Sequence, residues 1–266
     1  MVKRIKLTST SDDTKLKAII NKQTIEENEA MRAHRAGKAR SMYASDYGQC
    51  MKKTWFQFFP EDYPIEDFSP RTLRIFHNGE AVHERLSKYL SREEQLQFLE
   101  EVDVPRDDLE VHGRCDGLCF VAPNAVVVEF KSINRATVSA PKPEHLGQIT
   151  WYMAMWHMLR QQLQENPPAH LEDHEKIVLS GPIKGEIIYE SKQNQETYHF
   201  AVELNEDRYQ KVRLWYKQLQ WHIETKRLPI VNYEQNKFPC SWGRGSTQGA
   251  CPYYAQCWGP SNVNDT

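Results

Sequence analysis

Residues 113–131, GRCDGLCFVAPNAVVVEFK, decide the fold of this chain because they place two apolar segments on either side of a turn. The segments 111–121 and 125–132 are strand candidates, and the second is rich in valine. Residues 122–124, APN, form a turn signal between them. The sequence therefore predicts an antiparallel β-hairpin.

The register of this hairpin decides which side chains meet. With the turn at residues 123–124, Asp116 lies opposite Lys131, and Leu118 lies opposite Glu129. Because side chains alternate along a strand, Asp116, Glu129 and Lys131 are then predicted on one face. Two acids and a lysine would converge there.

Such a group indicates a particular chemistry. Two close carboxylates are unfavourable unless a cation lies between them, and Mg²⁺ or Mn²⁺ prefers oxygen ligands. A lysine beside them polarises water or stabilises charge on a phosphate, which suits phosphodiester hydrolysis by metal-activated water. The Glu-x-Lys pattern alone is weak evidence, since it recurs at Glu190 and Glu224. A strand-edge salt bridge is the simpler interpretation of Glu129 alone.

Periodicity and breakers predict the remaining elements. Besides the hairpin, we expect helices over 22–39, 46–59, 71–90, 143–164 and 205–226, strands over 98–105, 183–190 and 197–204, and a loop over 164–176. This order predicts an α/β (α+β mixed) fold with a central mixed sheet flanked by helices. The expected divisions are a basic N-terminal arm and helix over 1–40, one domain over 41–257 and a flexible tail over 258–266.

Composition excludes some classes of protein. The chain has 266 residues, of which 39% are hydrophobic and 26% charged, as in ordinary globular proteins. Its formal net charge of -2 provides no overall positive field for nucleic acid. No apolar run approaches the roughly 20 residues of a membrane span, and no signal peptide is visible. We therefore expect a cytoplasmic protein with reduced cysteines.

Four motifs, in order, resemble those of the PD-(D/E)XK nuclease superfamily in its RecB-like branch. They are Gly79-Glu80-x-x-His83, Gly113-x-x-Asp116, Glu129-Phe130-Lys131 and Gln148-x-x-x-Tyr152. Each motif is common by itself, whereas four in order are specific. The resemblance covers about residues 41–257 and implies a restriction-endonuclease-like core.

The resemblance also implies a metal site. It assigns His83, Asp116, Glu129 and the backbone carbonyl of Phe130 to a bound Mg²⁺ or Mn²⁺ ion. Outside this set of motifs, a solvent-exposed position on a helix is the simpler interpretation of His83.

Three further catalytic roles follow from the same resemblance. Lys131 would position or activate the attacking water. Gln148 and Tyr152, one helical turn apart, would contact DNA or brace the site. Core packing is an equally good interpretation of Tyr152. His145, three residues before Gln148, has no assigned role.

The cysteines form two groups. Cys115 and Cys119 are predicted on the hairpin face opposite the acids, as core residues. The other four lie near the two ends of the chain, at Cys50, Cys240, Cys251 and Cys257. Only folding brings such ligands together.

The second group resembles the iron–sulfur staple of some RecB-like nucleases. Four thiolates suit a [4Fe–4S] cluster, and structural Zn²⁺ is the alternative. Those relatives place the first two C-terminal cysteines close together, whereas ten residues separate Cys240 from Cys251 here. The implied role is a structural staple of the two termini, because closing so long a loop removes entropy from the unfolded chain.

Local positive charge and aromatic residues are candidates for DNA binding. Aromatic side chains at Trp55, Phe56, Phe58 and Phe59 either stack on bases or pack in the core. Cationic side chains either follow phosphates or lie on a solvated helix face. The cationic candidates are Arg32, Arg35, Lys38, Arg40, Lys52 and Lys53.

The implied function is a metal-dependent DNA nuclease, first an exonuclease acting on ends or single strands in recombination, repair or phage DNA processing. No Walker A motif is present, so we expect a separate motor or ends that are already exposed. A recombination or single-strand-binding protein is a candidate partner. The alternatives are a CRISPR-adaptation type end-trimming nuclease, a non-catalytic nucleic-acid-binding module and a zinc-binding interaction protein.

Overall fold

The part of the chain that the computed structural model describes contains seven α-helices and five strands. The described residues are 11–35, 40–63, 68–230, 233–234, 240 and 251–259, with side chains of the first helix described only over 16–30. The helices are α1 Ser11–Arg35, α2 Met51–Phe56, α3 Pro70–Ser91, α4 Pro143–Glu165, α5 Asp173–Ser180, α6 Glu206–Glu224 and α7 Tyr254–Trp258. The strands are β1 Phe98–Asp103, β2 Arg114–Val121, β3 Asn124–Ile133, β4 Ile183–Ser191 and β5 Thr197–Val202.

Three of the four long helices agree closely with the sequence predictions, whereas α1 begins at Ser11, eleven residues before its predicted start. Helices α3, α4 and α6 begin and end within two residues of the predicted bounds. Helix α5 was missed because Glu172 and Glu175, which form its capping box, stand in a stretch that reads as a polar loop. None of the described helices combines the length and apolar character that crossing a bilayer demands.

The chain divides into two units. The first comprises Met1–Ala39 and Glu66–Ala81, and the second comprises Arg40–Ile65 and Val82–Thr266. Within the first unit, Arg74 donates a hydrogen bond of 2.9 Å to the side chain of Asn21. The candidate site described below lies entirely within the second unit.

The second unit contains one mixed sheet with the strands in chain order, β1-β2-β3-β4-β5. Strand β3 runs parallel to β4, and the other neighbouring pairs are antiparallel. Helices α4 and α5 make the connection that a parallel pair requires. The predicted central mixed sheet flanked by helices is confirmed.

The predicted hairpin register is wrong by two residues. Val121 pairs with Asn124, so Ala122 and Pro123 form the turn, and Leu118 lies opposite Val127 instead of Glu129. The described β2–β3 pairing ends with Gly117 opposite Val128 and does not include Asp116, so Asp116 does not pair with Lys131. The residues of a tight turn depend on backbone conformation, which the APN pattern does not specify. A shift of two preserves the face of each side chain.

The sheet buries apolar side chains on both faces. The larger cluster joins Val127 and Ile187 to α4 residues such as Trp151 and Trp156. The smaller cluster joins Val126, Val128, Phe130 and Ile188 to Leu86 and Leu90 of α3. These two clusters hold α4 and α3 against opposite faces of the same strands.

The two strand cysteines do not share a face. Both are buried, as predicted, with Cys115 at 0% and Cys119 at 3% exposure. However, Cys115 belongs to the larger cluster and Cys119 to the smaller one. The β2–β3 ladder ends between them, so strict alternation along β2 fails for Cys115.

Candidate active site

Glu129 lies at the centre of the candidate site, on β3, with its side chain only 3% exposed. Its Oε1 accepts hydrogen bonds from Lys131 Nζ at 2.5 Å and Gln148 Nε2 at 2.8 Å. Its Oε2 is buried and has no hydrogen-bond partner among the described residues. Burial, reinforced by the charge of Asp116 and opposed by Lys131, raises the pKa of Glu129 to about 7.

Asp116 connects β2, β3 and α3. Its Oδ2 accepts the backbone N–H of Phe130 at 2.6 Å, and its Oδ1 lies 3.2 Å from His83 Nδ1. Burial lowers the pKa of His83, but the hydrogen bond and charge of Asp116 outweigh it, so the net shift is upward. Because the Nδ1 of His83 faces a carboxylate, its Nε2 is left for another partner. Metal-binding histidines commonly have this arrangement.

Lys131 remains a cation in this environment. Its side chain is 20% exposed, and its Nζ contacts Glu129. Burial lowers the pKa of Lys131, but the charge and hydrogen bond of Glu129 more than compensate and raise it above its ordinary value. An ammonium group therefore stands beside the two acids at neutral pH.

Gln148 and Tyr152 brace Glu129 from α4. The two N–H groups of Gln148 Nε2 are directed to Glu129 Oε1 and to Tyr152 Oη, the latter at 2.9 Å. Tyr152 is 2% exposed, and its ring lies 2.6 Å from where a Cβ on Gly113 would stand. Burial raises the pKa of Tyr152 well above its usual range. Tyr152 also belongs to the larger core cluster, as the core-packing interpretation predicts, and its hydroxyl contacts Gln148.

The donor atoms of the site suit a hard divalent cation. A cation beside Glu129 would offset the cost of burying the unpaired Oε2. In the present arrangement, no group of three or more His, Cys, Asp or Glu among the described residues could hold a metal ion. Lys131 engages Glu129, while His83 and Phe130 engage Asp116. Metal binding by the predicted ligands therefore requires side-chain movement.

Two residues without a predicted role lie beside this group. His145 Nδ1 is 2.7 Å from Tyr189 Oη. Tyr189 is the β4 residue directly opposite Lys131. The spacing of three between His145 and Gln148 was a sequence signal for a shared helix face. Nothing local marked Tyr189, because its position depends on the pairing of β4 with β3.

The four cysteines near the two ends line one cavity of about 510 Å³. They are Cys50, Cys240, Cys251 and Cys257, and the backbone N–H of Cys251 donates to the carbonyl of Cys240 at 3.4 Å. Burial, with Lys52 opposing it and the neighbouring cysteines adding to it, raises the pKa of Cys257 to about 11. Without a bound metal ion, its thiol is therefore protonated at neutral pH.

The predicted DNA-binding cations have different surroundings. Arg40 donates to Asp46 at 2.6 Å and lies over the ring of Phe58, so its charge has an internal partner. Lys52 and Lys53 line the cysteine cavity. The side chains of Arg32 and Arg35 and the whole of Lys38 lie outside the described residues.

The aromatic candidates on and after α2 belong to the core. Trp55 is 4% exposed, and its Nε1 donates to the carbonyl of His222 at 2.9 Å. Phe56 is 1% exposed and stacks on Tyr253 with ring centroids 5.1 Å apart. Phe58 and Phe59 pack partly buried against the same cluster. Core packing, the simpler of the two interpretations, is what the structure shows.

Solved structures resemble this chain, although no family model and no curated protein sequence matches it. The crystal structure of SSO0001 has a TM-score of 0.54 at 14% identity and covers 92% of this chain and 97% of its own. The alkaline exonuclease LHK-Exo from Laribacter hongkongensis has a TM-score of 0.43 at 13% identity, covering 73% and 91%. LHK-Exo in complex with dAMP has a TM-score of 0.45 at 13% identity, covering 70% and 88%. The likeness to SSO0001 shows a shared fold across nearly all of both chains.

Proposed function

We propose that this protein is a divalent-metal-dependent DNA nuclease that hydrolyses phosphodiester bonds. The observation that carries the proposal is the environment of Glu129. One oxygen of this buried carboxylate has no partner in the described part of the chain, the other accepts from Lys131, and the charge of Asp116 lies nearby. A structural salt bridge would satisfy both oxygens, whereas a site for a cation leaves one of them available.

The residues of the site have distinct proposed roles. Glu129 and Asp116, with His83, would hold Mg²⁺ or Mn²⁺, which when bound acts as a Lewis acid and lowers the pKa of water. The ammonium of Lys131 would orient the attacking water and stabilise charge that develops on the phosphate. Gln148 would keep the Glu129 carboxylate in place through its hydrogen bond to Oε1.

The motif resemblance makes exonuclease action on DNA ends or single strands our first choice. The same residues suit the alternative of an end-trimming nuclease in a larger complex. The non-catalytic alternative is less favoured, because a binding module needs neither the buried carboxylate nor its lysine. We also propose that the cysteine cavity binds a [4Fe–4S] cluster, with Zn²⁺ as the alternative, since four thiols line one space. In the present arrangement of the described residues these thiols form no ready metal site, so binding would draw them together.

Digestion of end-labelled linear DNA and of circular DNA tests the proposed activity. We expect the full chain to cleave with Mg²⁺ or Mn²⁺ and to be inactive in EDTA. The Lys131→Ala variant should lose about 10²–10³-fold in rate while it still binds DNA, because one preorganised charge at the reacting phosphate is removed.

The matched control is Lys226→Ala, the exposed lysine of the third Glu-x-Lys pattern, at the end of α6. It should cleave at the wild-type rate. Wild-type cleavage by Lys131→Ala would contradict the site assignment, and circular DNA left intact would favour an exonuclease.

A further inference from the structure

We propose that His145 is a catalytic residue that donates a hydrogen bond from its neutral imidazole Nε2–H to the scissile phosphodiester, and that Tyr189 is a positioning residue that holds it in this tautomer. This inference rests on the proposed nuclease function and names a substrate contact within the same site. The observations that carry it are a chain of hydrogen bonds and the position of that chain beside Lys131.

The chain of hydrogen bonds begins on the backbone. The N–H of Lys142, the residue that precedes α4, donates to Tyr189 Oη at 3.0 Å. The same hydroxyl lies 2.7 Å from His145 Nδ1. The imidazole and phenol rings are also in contact, with centroids 5.5 Å apart. Two groups, one from the residue before α4 and one from α4 itself, therefore meet at a single hydroxyl on β4.

Counting protons assigns the tautomer. A backbone N–H is always a donor, so Tyr189 Oη accepts from Lys142 and still has one proton to donate. His145 Nδ1 is the acceptor within reach among the described residues. We assign the Tyr189 proton to this contact, which leaves Nδ1 unprotonated and places the ring proton of a neutral imidazole on Nε2. No described residue forms a hydrogen bond with Nε2.

The surroundings keep both partners in these protonation states. Burial, together with the positive charges of Lys131 and Lys142, lowers the pKa of His145 to about 3. Burial raises the pKa of Tyr189 above its usual value, although Lys142 opposes the shift. At neutral pH the histidine is uncharged and the tyrosine keeps its proton.

The position of His145 relates it to the reaction. Tyr189 lies opposite Lys131 in the parallel β3–β4 pair, and His145 is one helical turn before Gln148, which contacts Glu129. His145 is half-buried. The positive charge of Lys131 acts on its ring, which places the imidazole near the ammonium group of the site.

The tautomer restricts what His145 can do. A protonated Nε2 has no free lone pair, so it binds no metal, and a pKa of about 3 makes the ring a poor base at neutral pH. What remains is a neutral N–H donor beside an ammonium. The non-bridging oxygens of a phosphodiester are acceptors that suit such a pair, because the cation and the donor stabilise the same negative charge.

Two isosteric variants test the donor. His145→Gln places an amide N–H near the position of Nε2, whereas His145→Asn places one near Nδ1. We expect His145→Asn to lose about 10²-fold in kcat on linear DNA with little change in KM, and His145→Gln to remain within about 10-fold of wild type. His145→Asn keeps an amide group within reach of Tyr189 Oη, whereas His145→Gln does not. A merely structural role therefore predicts the opposite order, with the larger loss in His145→Gln.

Nitrogen-15 NMR of histidine in the full chain tests the tautomer without any reference to activity. We expect His145 to show a protonated Nε2 and an unprotonated Nδ1 between pH 5 and pH 8, and Tyr189→Phe to change that signature. A charged ring or a protonated Nδ1 would overturn the proposal. Wild-type cleavage by His145→Asn would also overturn it, while leaving the nuclease function intact. A wild-type chain that cleaves no DNA would instead remove the function, and with it the substrate contact.

Discussion

At the scale of single residues, the two carboxylate oxygens of Glu129 have different surroundings. Oε1 accepts hydrogen bonds from Lys131 and Gln148, whereas Oε2 is buried without a partner among the described residues. Leaving a buried acceptor unpaired costs about 1–3 kcal/mol, which a structural role does not explain. The residue is therefore poised for a partner that carries positive charge.

This environment predicts a pH-dependent stability in metal-free buffer. The pKa of Glu129 rises from 4.5 to about 7 on folding. The folded state therefore holds its proton more tightly, so stability is highest below the unfolded value and falls as pH rises toward 7. Between pH 5 and pH 8, we expect the free energy of unfolding of the wild type to fall by on the order of 2 kcal/mol relative to Glu129→Gln.

Urea unfolding in EDTA, followed by tryptophan fluorescence at several pH values, measures this difference. Glu129→Gln is the matched control because its amide has the same shape and does not titrate in this range. Adding Mg²⁺ to the wild type should reduce the fall, since a bound cation favours the carboxylate. Parallel profiles for the two proteins would contradict the buried-acid interpretation.

At the scale of elements, α4 is the helix that joins the site to the core. One stretch of it, residues 147–156, is buried throughout. Gln148 and Tyr152 face the acids from this stretch, while Trp151 and Trp156 pack in the larger cluster. Its position along the sheet therefore sets the distance between Gln148 and Glu129.

Gly147 of α4 packs against the ring of Tyr47, which precedes α2. A Cβ built at Gly147 would stand 2.1 Å from the ring of Tyr47. In most helices, replacing glycine by alanine is stabilising. Here we expect Gly147→Ala to lower the free energy of unfolding by about 1–3 kcal/mol, because the ring must move. DNA cleavage should fall as well, since Gln148 is the next residue.

Chemical denaturation of single and double variants checks this prediction. Gln161→Ala, on the exposed part of α4, is the control and should leave stability within about 0.5 kcal/mol of wild type. In the double variant Tyr47→Ala with Gly147→Ala, the two effects should be non-additive, because removing the ring removes the clash. Additive effects would show that Tyr47 is not the obstacle.

At the scale of the whole molecule, the cysteine cavity joins residues from near both ends of the chain. Cys50 precedes α2, and the other three cysteines that line the cavity lie at position 240 or beyond. A bound metal centre would link these segments and close a loop of about 190 residues, which restricts the unfolded chain. Metal binding and folding would then be coupled.

We expect the anaerobically purified full chain to contain iron and sulfide and to absorb broadly near 400 nm, as the motif resemblance implies. Cys50→Ser should lose the iron and lower the Tm, because one of four ligands is removed. Elemental analysis, absorption spectra and thermal melts provide the measurement.

Cys119→Ala is the matched control, since Cys119 is buried in the smaller cluster and lies away from the cavity. It should retain the iron at a small cost in stability. A colourless wild type with one bound zinc would favour the alternative metal. A wild type without bound metal would contradict both assignments.

Local sequence patterns were sufficient to predict much of the secondary structure of this protein. Hydrophobic periodicity placed α3, α4 and α6, because each has several turns that repeat one apolar spacing. The two-residue period of strands kept Glu129 and Lys131 on one face even though the predicted register was wrong by two. Polar segments carry weaker patterns, which is why α5 was missed.

The sequence by itself determined the order of the five strands and of helices α3, α4 and α6, and the residue types at the acidic site, since these depend on neighbours a few positions apart. Only the tertiary structure decided that Asp116 contacts the backbone of Phe130, that Tyr189 lies beside His145, and that four distant cysteines share one cavity. These contacts join residues far apart along the chain. Their geometry depends on strand pairing, turn conformation and helix packing at the same time, and no local spacing encodes that combination.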